Sequence, residues 1–197
     1  KTDYLDLWQI HEVVYDDDPD RHFIPGGAAE ALLDAKRQGK VRFIGFTGHK
    51  DPRIHLKMLA HDFPFDTCQM PLNVFDGTYR SFEHDVLPVL NQRGIAPLGM
   101  KSLSGNAEPI KQGIVTPEEA IRYVLSLPIA SLVSGIDSRQ VLKQNLDIVR
   151  RFTPMTAADR EALRTRVARY ALDGRFELFK STNRYDGRIG REQHGLS

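Results

Sequence analysis

Residues 41–72, VRFIGFTGHKDPRIHLKMLAHDFPFDTCQMPL, predict a strand, a helix and a second strand in succession. Residues 41–46 and 67–72 are short and mostly apolar, as buried strands are, whereas 52–60 places apolar residues at helical spacing. The same alternation continues on both sides of this stretch. It predicts further strands at 4–10, 95–100 and 129–133, and further helices at 26–38, 81–92, 116–126, 141–152 and 156–172.

Strands that alternate with helices through short turns favour parallel βαβ units, either in a doubly wound sheet or in a (β/α)8 barrel. No G-x-G-x-x-G loop follows any predicted strand, and the polar clusters lie just past the strands' carboxyl ends, where barrels place their chemistry. We therefore predict an α/β fold that is a partial (β/α)8 TIM barrel. A complete barrel takes about 250 residues and eight strands, so three strands are expected to be missing from the front.

Composition narrows the classes of function. The chain has 197 residues, 41% of them hydrophobic and 27% charged, as expected for one globular domain over residues 1–197 with a polar tail at 177–197. The formal net charge of +1 gives no electrostatic case for nucleic acid or an anionic membrane surface. No apolar run approaches the roughly 20 residues that span a bilayer. The single cysteine, Cys68, fits a reducing compartment such as the cytoplasm.

Five motifs, in order, resemble the aldo-keto reductase family. The family's fourth-strand motif reads close to T-D-Y-I-D-L-Y-x-I-H, and its later motifs are G-K-I-R-x-I-G-V-S, Q-x-x-Y-N, S-P-L-x-x-G and I-P-G followed by E-N. The corresponding segments of this chain are 2–11, 39–47, 69–73, 94–105 and 133–145. The resemblance covers nearly the whole chain. It implies an NADPH-dependent oxidoreductase, with NADH also possible, that reduces small aldehydes or ketones and is a monomer when full length.

The resemblance assigns roles to residues at the first three strand ends. His11 would be catalytic: a histidine there helps to polarise the substrate carbonyl, and an imidazole can stabilise developing negative charge on oxygen. Thr47 would hold the nicotinamide carboxamide in place of the family's serine. Gln69 offers an amide donor and acceptor that match the same carboxamide. The alternatives are a histidine bonded to backbone and a glutamine bonded to a neighbouring strand end. His49 is expected to be a rim residue.

The remaining cofactor contacts are expected after the fourth and fifth strands. Met100 occupies the position of a tyrosine that stacks on the nicotinamide, and Lys101 could pair with phosphate or remain a solvated surface lysine. Backbone groups from Gly135 to Ser138 would lie near the adenosine phosphate, because a helix begins there. The other residues assigned to the adenosine end are Arg139, which is displaced from the usual basic position, and Gln144 and Asn145, which would reach the adenine. Asp137 would repel a phosphate.

The family's catalytic aspartate, tyrosine and lysine belong to its first three strands and have no counterpart here, so the chain alone is expected not to reduce carbonyls. Two alternatives stay open: a non-catalytic nucleotide-binding barrel that acts as a regulatory subunit, and a metal-dependent hydrolase with His11 and His49 as ligands. The run Asp16–Asp18 is expected to be a solvated loop rather than a metal site. In the tail, Phe179, Tyr185 and His194 could overhang a substrate pocket.

Overall fold

Five parallel strands form one sheet in the order β1-β2-β3-β4-β5. The structure, a computed structural model, describes residues 2–188 and residue 192. The strands are β1 (Leu5–Val13), β2 (Val41–Gly48), β3 (Thr67–Pro71), β4 (Ala96–Met100) and β5 (Ser131–Leu132). All four neighbouring pairs are parallel. The predicted alternation of strands and helices is therefore confirmed.

Helices connect the strands and follow the last one. They are α1 (Asp18–His22), α2 (Ala28–Arg37), α3 (Pro52–Ala60), α4 (Phe82–Asp85), α5 (Leu87–Arg93), α6 (Glu108–Lys111), α7 (Pro117–Leu125), α8 (Arg139–Arg150), α9 (Ala157–Ala171) and α10 (Leu178–Ser181). Within residues 2–188 and at 192, no helix is long and apolar enough to cross a lipid bilayer.

The two faces of the sheet have different roles. Ile10, Phe46 and Cys68 are neighbours across β1, β2 and β3, and all three are buried in the core with the apolar sides of the helices. The other face carries Leu5 and Phe43, whose exposed fractions are 48% and 44%. Successive side chains of a strand point to opposite faces, so the residues that follow Ile10, Phe46 and Cys68 share this second face.

Several boundaries differ from the prediction. The helix expected at 81–92 is two helices, α4 and α5, because Pro88 lacks an N–H group and its ring would clash with the carbonyl four residues earlier. The polar stretch 12–21 contains the end of β1 and the helix α1. The expected solvated loop at Asp16–Asp18 is wrong for Asp18, which is buried and accepts backbone N–H groups of Val14 and Tyr15, each at 2.8 Å.

Candidate active site

Four predicted site residues lie on one face of the sheet, near the carboxyl ends of their strands. His11, Thr47 and Gln69 are direct neighbours across β1, β2 and β3. Met100 ends β4, two positions beyond Leu98, which is the partner of Gln69. Side chains two positions apart point to the same side of a strand. The four side chains are therefore brought together on the face opposite the core.

Gln69 contacts the end of the neighbouring strand, β4. Its Nε2 donates to the sulfur of Met100 at 3.3 Å, so the two residues predicted to contact the nicotinamide contact each other. This bond matches the alternative of a glutamine held by a neighbouring strand end. A primary amide has two N–H groups and an oxygen, so one bond to sulfur leaves capacity for a ligand. Thr47 is buried beside it, with 5% exposure.

His11 is exposed and lies beside a buried pair of side chains. Its side chain is 74% exposed, and its Nε2 lies 3.9 Å from the Oε2 of Glu12. The same Oε2 lies 2.9 Å from Nδ1 of His49, whose side chain is 5% exposed. The side chains of His11 and Glu12 lie close together although the two residues are consecutive in a strand. The register between β1 and β2 is irregular between His11 and Val13, which breaks the usual alternation of side chains. His49 is therefore a buried partner of Glu12, and the expectation of a rim residue is wrong.

Charge around Glu12 favours its ionised form. Burial raises the pKa of Glu12, but the hydrogen bond from His49 and the nearby basic groups lower it more, and the pKa lies below the ordinary value. One of those groups is Lys101, which follows β4. Burial lowers the pKa of Lys101, and the charge of Glu12 opposes that effect. The ammonium of Lys101 lies 5.2 Å from the ring centre of Phe179, which leaves it half-buried rather than free in solvent.

A cleft of about 470 Å³ opens between the loop after β4 and the loop after β5. Pockets of about 300 to 1,000 Å³ are typical of small-molecule sites. Lys101 and Gly135 are the predicted site residues that line it. A Cβ atom at Gly135 would meet nothing within 4 Å, so this wall is open. Residues of both loops form the lining: 101–103, 105–107, 133–137 and 141.

The other predicted residues of the adenosine end lie behind this wall. Ser138 is the N-cap of α8, where its Oγ accepts the backbone N–H of Val141 at 3.2 Å. Asn145 is buried and its Nδ2 donates to Ser134 Oγ at 3.1 Å. Gln144 donates to the Asn145 side chain at 3.4 Å. Arg139, the first residue of α8, is exposed and does not line the cleft.

The tail returns to the strand ends and is fastened there by buried charges. Lys180 is fully buried, and its Nζ lies 2.6 Å from Asp76 Oδ1, 2.9 Å from Glu177 Oε1 and 2.9 Å from the carbonyl of Tyr79. Asn73 donates to the same Glu177 oxygen at 2.9 Å. These side chains of Asn73, Asp76, Glu177 and Lys180 are called the Lys180 cluster below. The cluster connects the tail to the loop after β3.

Aromatic residues of the tail contact the strand ends. Phe179 is buried, and its ring centre lies 5.9 Å from that of His49. Phe179 and Tyr185 also line a cavity of about 80 Å³ together with Lys101 and Ser104. The Oγ of Ser104 is buried without a hydrogen-bond partner in the part of the chain that the structure describes. His194 lies outside the described residues.

The model of the aldo/keto reductase family matches residues 1–109 of this chain. This chain belongs to the aldo/keto reductase family. The matched region includes β1 to β4 and the loop that follows β4. It therefore contains His11, Thr47, Gln69, Met100 and Lys101. None of the curated protein sequences matches the chain.

Solved structures show the same fold. Aldo-keto reductase AKR11C1 from Bacillus halodurans in its holo form is similar with a TM-score of 0.65 and 19% identity, over 84% of this chain and 59% of that protein. An aldo/keto reductase from Brucella melitensis gives a TM-score of 0.58 and 17% identity, over 84% and 62%. A putative 2,5-diketo-D-gluconic acid reductase B gives 0.61 and 20%, over 83% and 57%. The fold is thus part of a (β/α)8 barrel, and the chain spans about three-fifths of these relatives' length.

Sequence reasoning missed two residues of the site, Glu12 and Ser104, and misjudged His49. Strict alternation along β1 puts Glu12 on the face opposite His11, and only the irregular register shows otherwise. A buried histidine two residues beyond Thr47 could have been suspected from the apolar run before it. Within residues 2–188 and at 192, no group of three or more His, Cys, Asp or Glu side chains is placed to hold a metal ion.

Proposed function

We propose that the full-length protein carrying this chain reduces aldehydes or ketones to alcohols with NAD(P)H. One observation carries the proposal: His11, Thr47 and Gln69 are neighbours across three strands, on the face opposite the core. Family membership supports the same chemistry. The substrate would be a small carbonyl compound, and the protein is expected to act as a monomer in the cytoplasm, where the buried thiol of Cys68 would stay reduced.

The residues present fit a dinucleotide. The cleft of about 470 Å³ is large enough for part of one, and its open wall at Gly135 leaves backbone groups accessible. Lys101 lines the cleft and would pair with a phosphate. The Thr47 hydroxyl and the Gln69 amide would hold the carboxamide, because they offer a donor and an acceptor side by side. Ser104, whose buried Oγ has no partner among the described residues, would gain one from a ligand.

Bound nicotinamide would supply the hydride, and the chain's residues would prepare the carbonyl. His11 would donate a hydrogen bond to the carbonyl oxygen and stabilise negative charge there. Its exposure of 74% leaves the imidazole open to a substrate. Phe179 and Tyr185 of the tail would restrict water near the strand ends. We assign the family's aspartate, tyrosine and lysine to sequence outside this chain, so the chain alone is expected to be inactive.

NADPH is the proposed cofactor, with NADH as the competing one. Lys101 is the only lysine or arginine among the cleft's lining residues, and Asp137 lines the same cleft. Arg139 is exposed nearby and could turn toward a 2′-phosphate. Gln144 and Asn145 would reach the adenine, and Asn145 would also hold Ser134, whose Oγ accepts from it. Ser138 would hold the start of α8 toward the adenosine phosphate.

The test uses the purified full-length protein. NADPH and NADH are titrated by protein fluorescence, and turnover is followed by nicotinamide absorbance with aliphatic and aromatic aldehydes and ketones. The proposal predicts that the protein binds the cofactor and oxidises it only when a carbonyl substrate is present. Binding without turnover of any carbonyl would favour the non-catalytic nucleotide-binding alternative. No binding of either cofactor would contradict both.

A further inference from the structure

Glu12 and His49 form a buried pair beside His11. The Nδ1–Oε2 distance of 2.9 Å is that of a charge-assisted hydrogen bond. For this bond to form, His49 must carry a proton on Nδ1, because a carboxylate only accepts. His49 is 96% buried, and its Nε2 has no hydrogen-bond partner among the described residues. The pair is therefore built into the strand ends rather than formed by mobile surface side chains.

The tail covers this pair. The Phe179 ring packs against His49 at 5.9 Å between centres, with an angle of 87°. A Cβ atom on Gly187 would lie 3.4 Å from the other Glu12 oxygen, so the tail also approaches the carboxylate. Lys50 fastens this part of the tail through Asp186, at 2.8 Å. The exposed imidazole of His11 lies beside the same carboxylate, with 3.9 Å between its Nε2 and Glu12 Oε2.

We propose that Glu12 is a positioning residue for His11: its carboxylate, anchored by His49, keeps a negative charge beside the exposed imidazole and so orients it toward the carbonyl. The role rests on the proposed function. A negative charge beside an imidazole stabilises the positive charge that the ring carries when it is a strong donor. Anchoring matters because a free carboxylate at the surface would be solvated and mobile, and its effect would be screened.

The ionised state of Glu12 is consistent with this role. Burial raises its pKa, but His49, His11 and Lys101 together outweigh that effect, and the pKa lies below the ordinary value of 4.5. The carboxylate is therefore charged at neutral pH. Lys101 lowers the pKa of Glu12 through its charge rather than through a hydrogen bond. Its ammonium nitrogen lies 5.2 Å from the ring centre of Phe179. The charge of Glu12 therefore interacts with both histidines and with the lysine that lines the cleft.

Three variants of the full-length protein separate charge from geometry. Glu12→Gln keeps an oxygen that can accept from His49 but removes the charge, whereas Glu12→Asp keeps the charge on a shorter chain. Asp6→Asn is the matched control, because Asp6 is an exposed carboxylate near the amino end of the same strand, paired with Arg42 and remote from the strands' carboxyl ends. Thermal unfolding of each variant establishes that it is folded.

We expect Glu12→Gln to lower kcat about tenfold, because His11 is exposed and water screens most of the attraction between charges about 4 Å apart. KM for the carbonyl and the affinity for NADPH should change less than about twofold. Glu12→Asp should retain more kcat than Glu12→Gln, and Asp6→Asn should equal wild type. A merely structural role predicts the reverse order, because glutamine is the closer fit. Unchanged kcat in Glu12→Gln, or that reverse order, would overturn the positioning role.

Long-range 1H–15N NMR of the histidines supplies a readout that needs no substrate. The proposal requires the proton of His49 on Nδ1 in the wild-type protein. A bare Nδ1 would overturn it, since the bond to Glu12 could then not exist. The two proposals fail differently. A wild-type enzyme that reduces no carbonyl overturns the proposed function and the role of Glu12 in it, whereas an active enzyme with an unaffected Glu12→Gln variant overturns the positioning role alone.

Discussion

Glu177 in the Lys180 cluster should make the protein less stable as the pH rises. Its side chain is 1% exposed, one oxygen accepts from Asn73 and Lys180, and the other has no partner among the described residues. Burial raises the pKa from 4.5 to about 7; the nearby charge of Asp76 adds to this and the charge of Lys180 opposes it. The folded state therefore favours the protonated carboxyl, whose second oxygen no longer carries charge into the interior.

The direction and size of this pH effect follow from the difference in the pKa of Glu177 between the folded and unfolded states. A group whose pKa is raised on folding contributes stability that is fully present below about pH 4.5 and is lost as the pH rises through about 7. At about 1.4 kcal/mol for each pKa unit, the loss is about 3 kcal/mol. Glu177→Gln keeps the oxygen that Asn73 and Lys180 use and cannot ionise. We expect this variant to match wild type near pH 4.5 and to exceed it by up to about 3 kcal/mol near pH 8.

Urea unfolding, followed by circular dichroism at a series of pH values, measures the difference. Comparison with the variant is essential, since other groups titrate in the same range and cancel in the difference. Glu118→Gln is the control: Glu118 is exposed in the first turn of α7, and its replacement should leave the pH dependence unchanged. A difference between wild type and Glu177→Gln that stays constant from pH 4.5 to pH 8, or that grows toward low pH, would contradict a raised pKa of Glu177 in the folded protein.

Three further predictions concern other parts of the chain. Burial lowers the pKa of His55 from 6.5 to about 3, so its stabilising effect is present above pH 6.5 and is lost as the pH falls toward 3. His55→Asn should reduce this acid-dependent loss of the unfolding free energy by on the order of 5 kcal/mol. Gly45→Ala should lower the unfolding free energy by about 1 to 3 kcal/mol in urea, because its Cβ would lie 2.1 Å from the Thr67 hydroxyl and 2.6 Å from the Thr67 carbonyl oxygen. Gln69→Leu should weaken NADPH binding about tenfold in a fluorescence titration. Gln9→Leu, which removes an amide bonded to Phe46 and Thr67 on the same face, should not weaken it.

Local signals in the sequence predicted the helices best. The helix at 52–60 has the bounds that its apolar spacing predicts, and its start is fixed locally, because Asp51 accepts the N–H of Arg53 and Pro52 occupies the first position. The helix after Thr116 likewise begins with a capping box, in which Thr116 and Glu119 bond each other's backbone N–H groups. These devices act over two or three residues, so they can be read without knowing the fold.

Contacts between distant residues could not be predicted. Lys180 bonds Asp76 across 104 positions, and nothing near either residue distinguishes it from a surface charge. The burial of Asp18 depends on the backbone of 14–15 turning toward it. In the site, His11, Thr47 and Gln69 were each predicted at the carboxyl end of a strand. The carboxyl ends of parallel strands lie along the same edge of the sheet, so their proximity could be predicted. The pairing of Glu12 with His49 required the irregular register after His11.

A crystal structure of the full-length protein with NADPH would show whether one dinucleotide joins the strand ends to the cleft after β5. We expect the nicotinamide carboxamide within hydrogen-bond distance of Thr47 and Gln69, His11 facing the reactive face, and the adenosine phosphate beside 135–138. A dinucleotide bound elsewhere, or one that contacts the strand ends or the cleft but not both, would contradict the account.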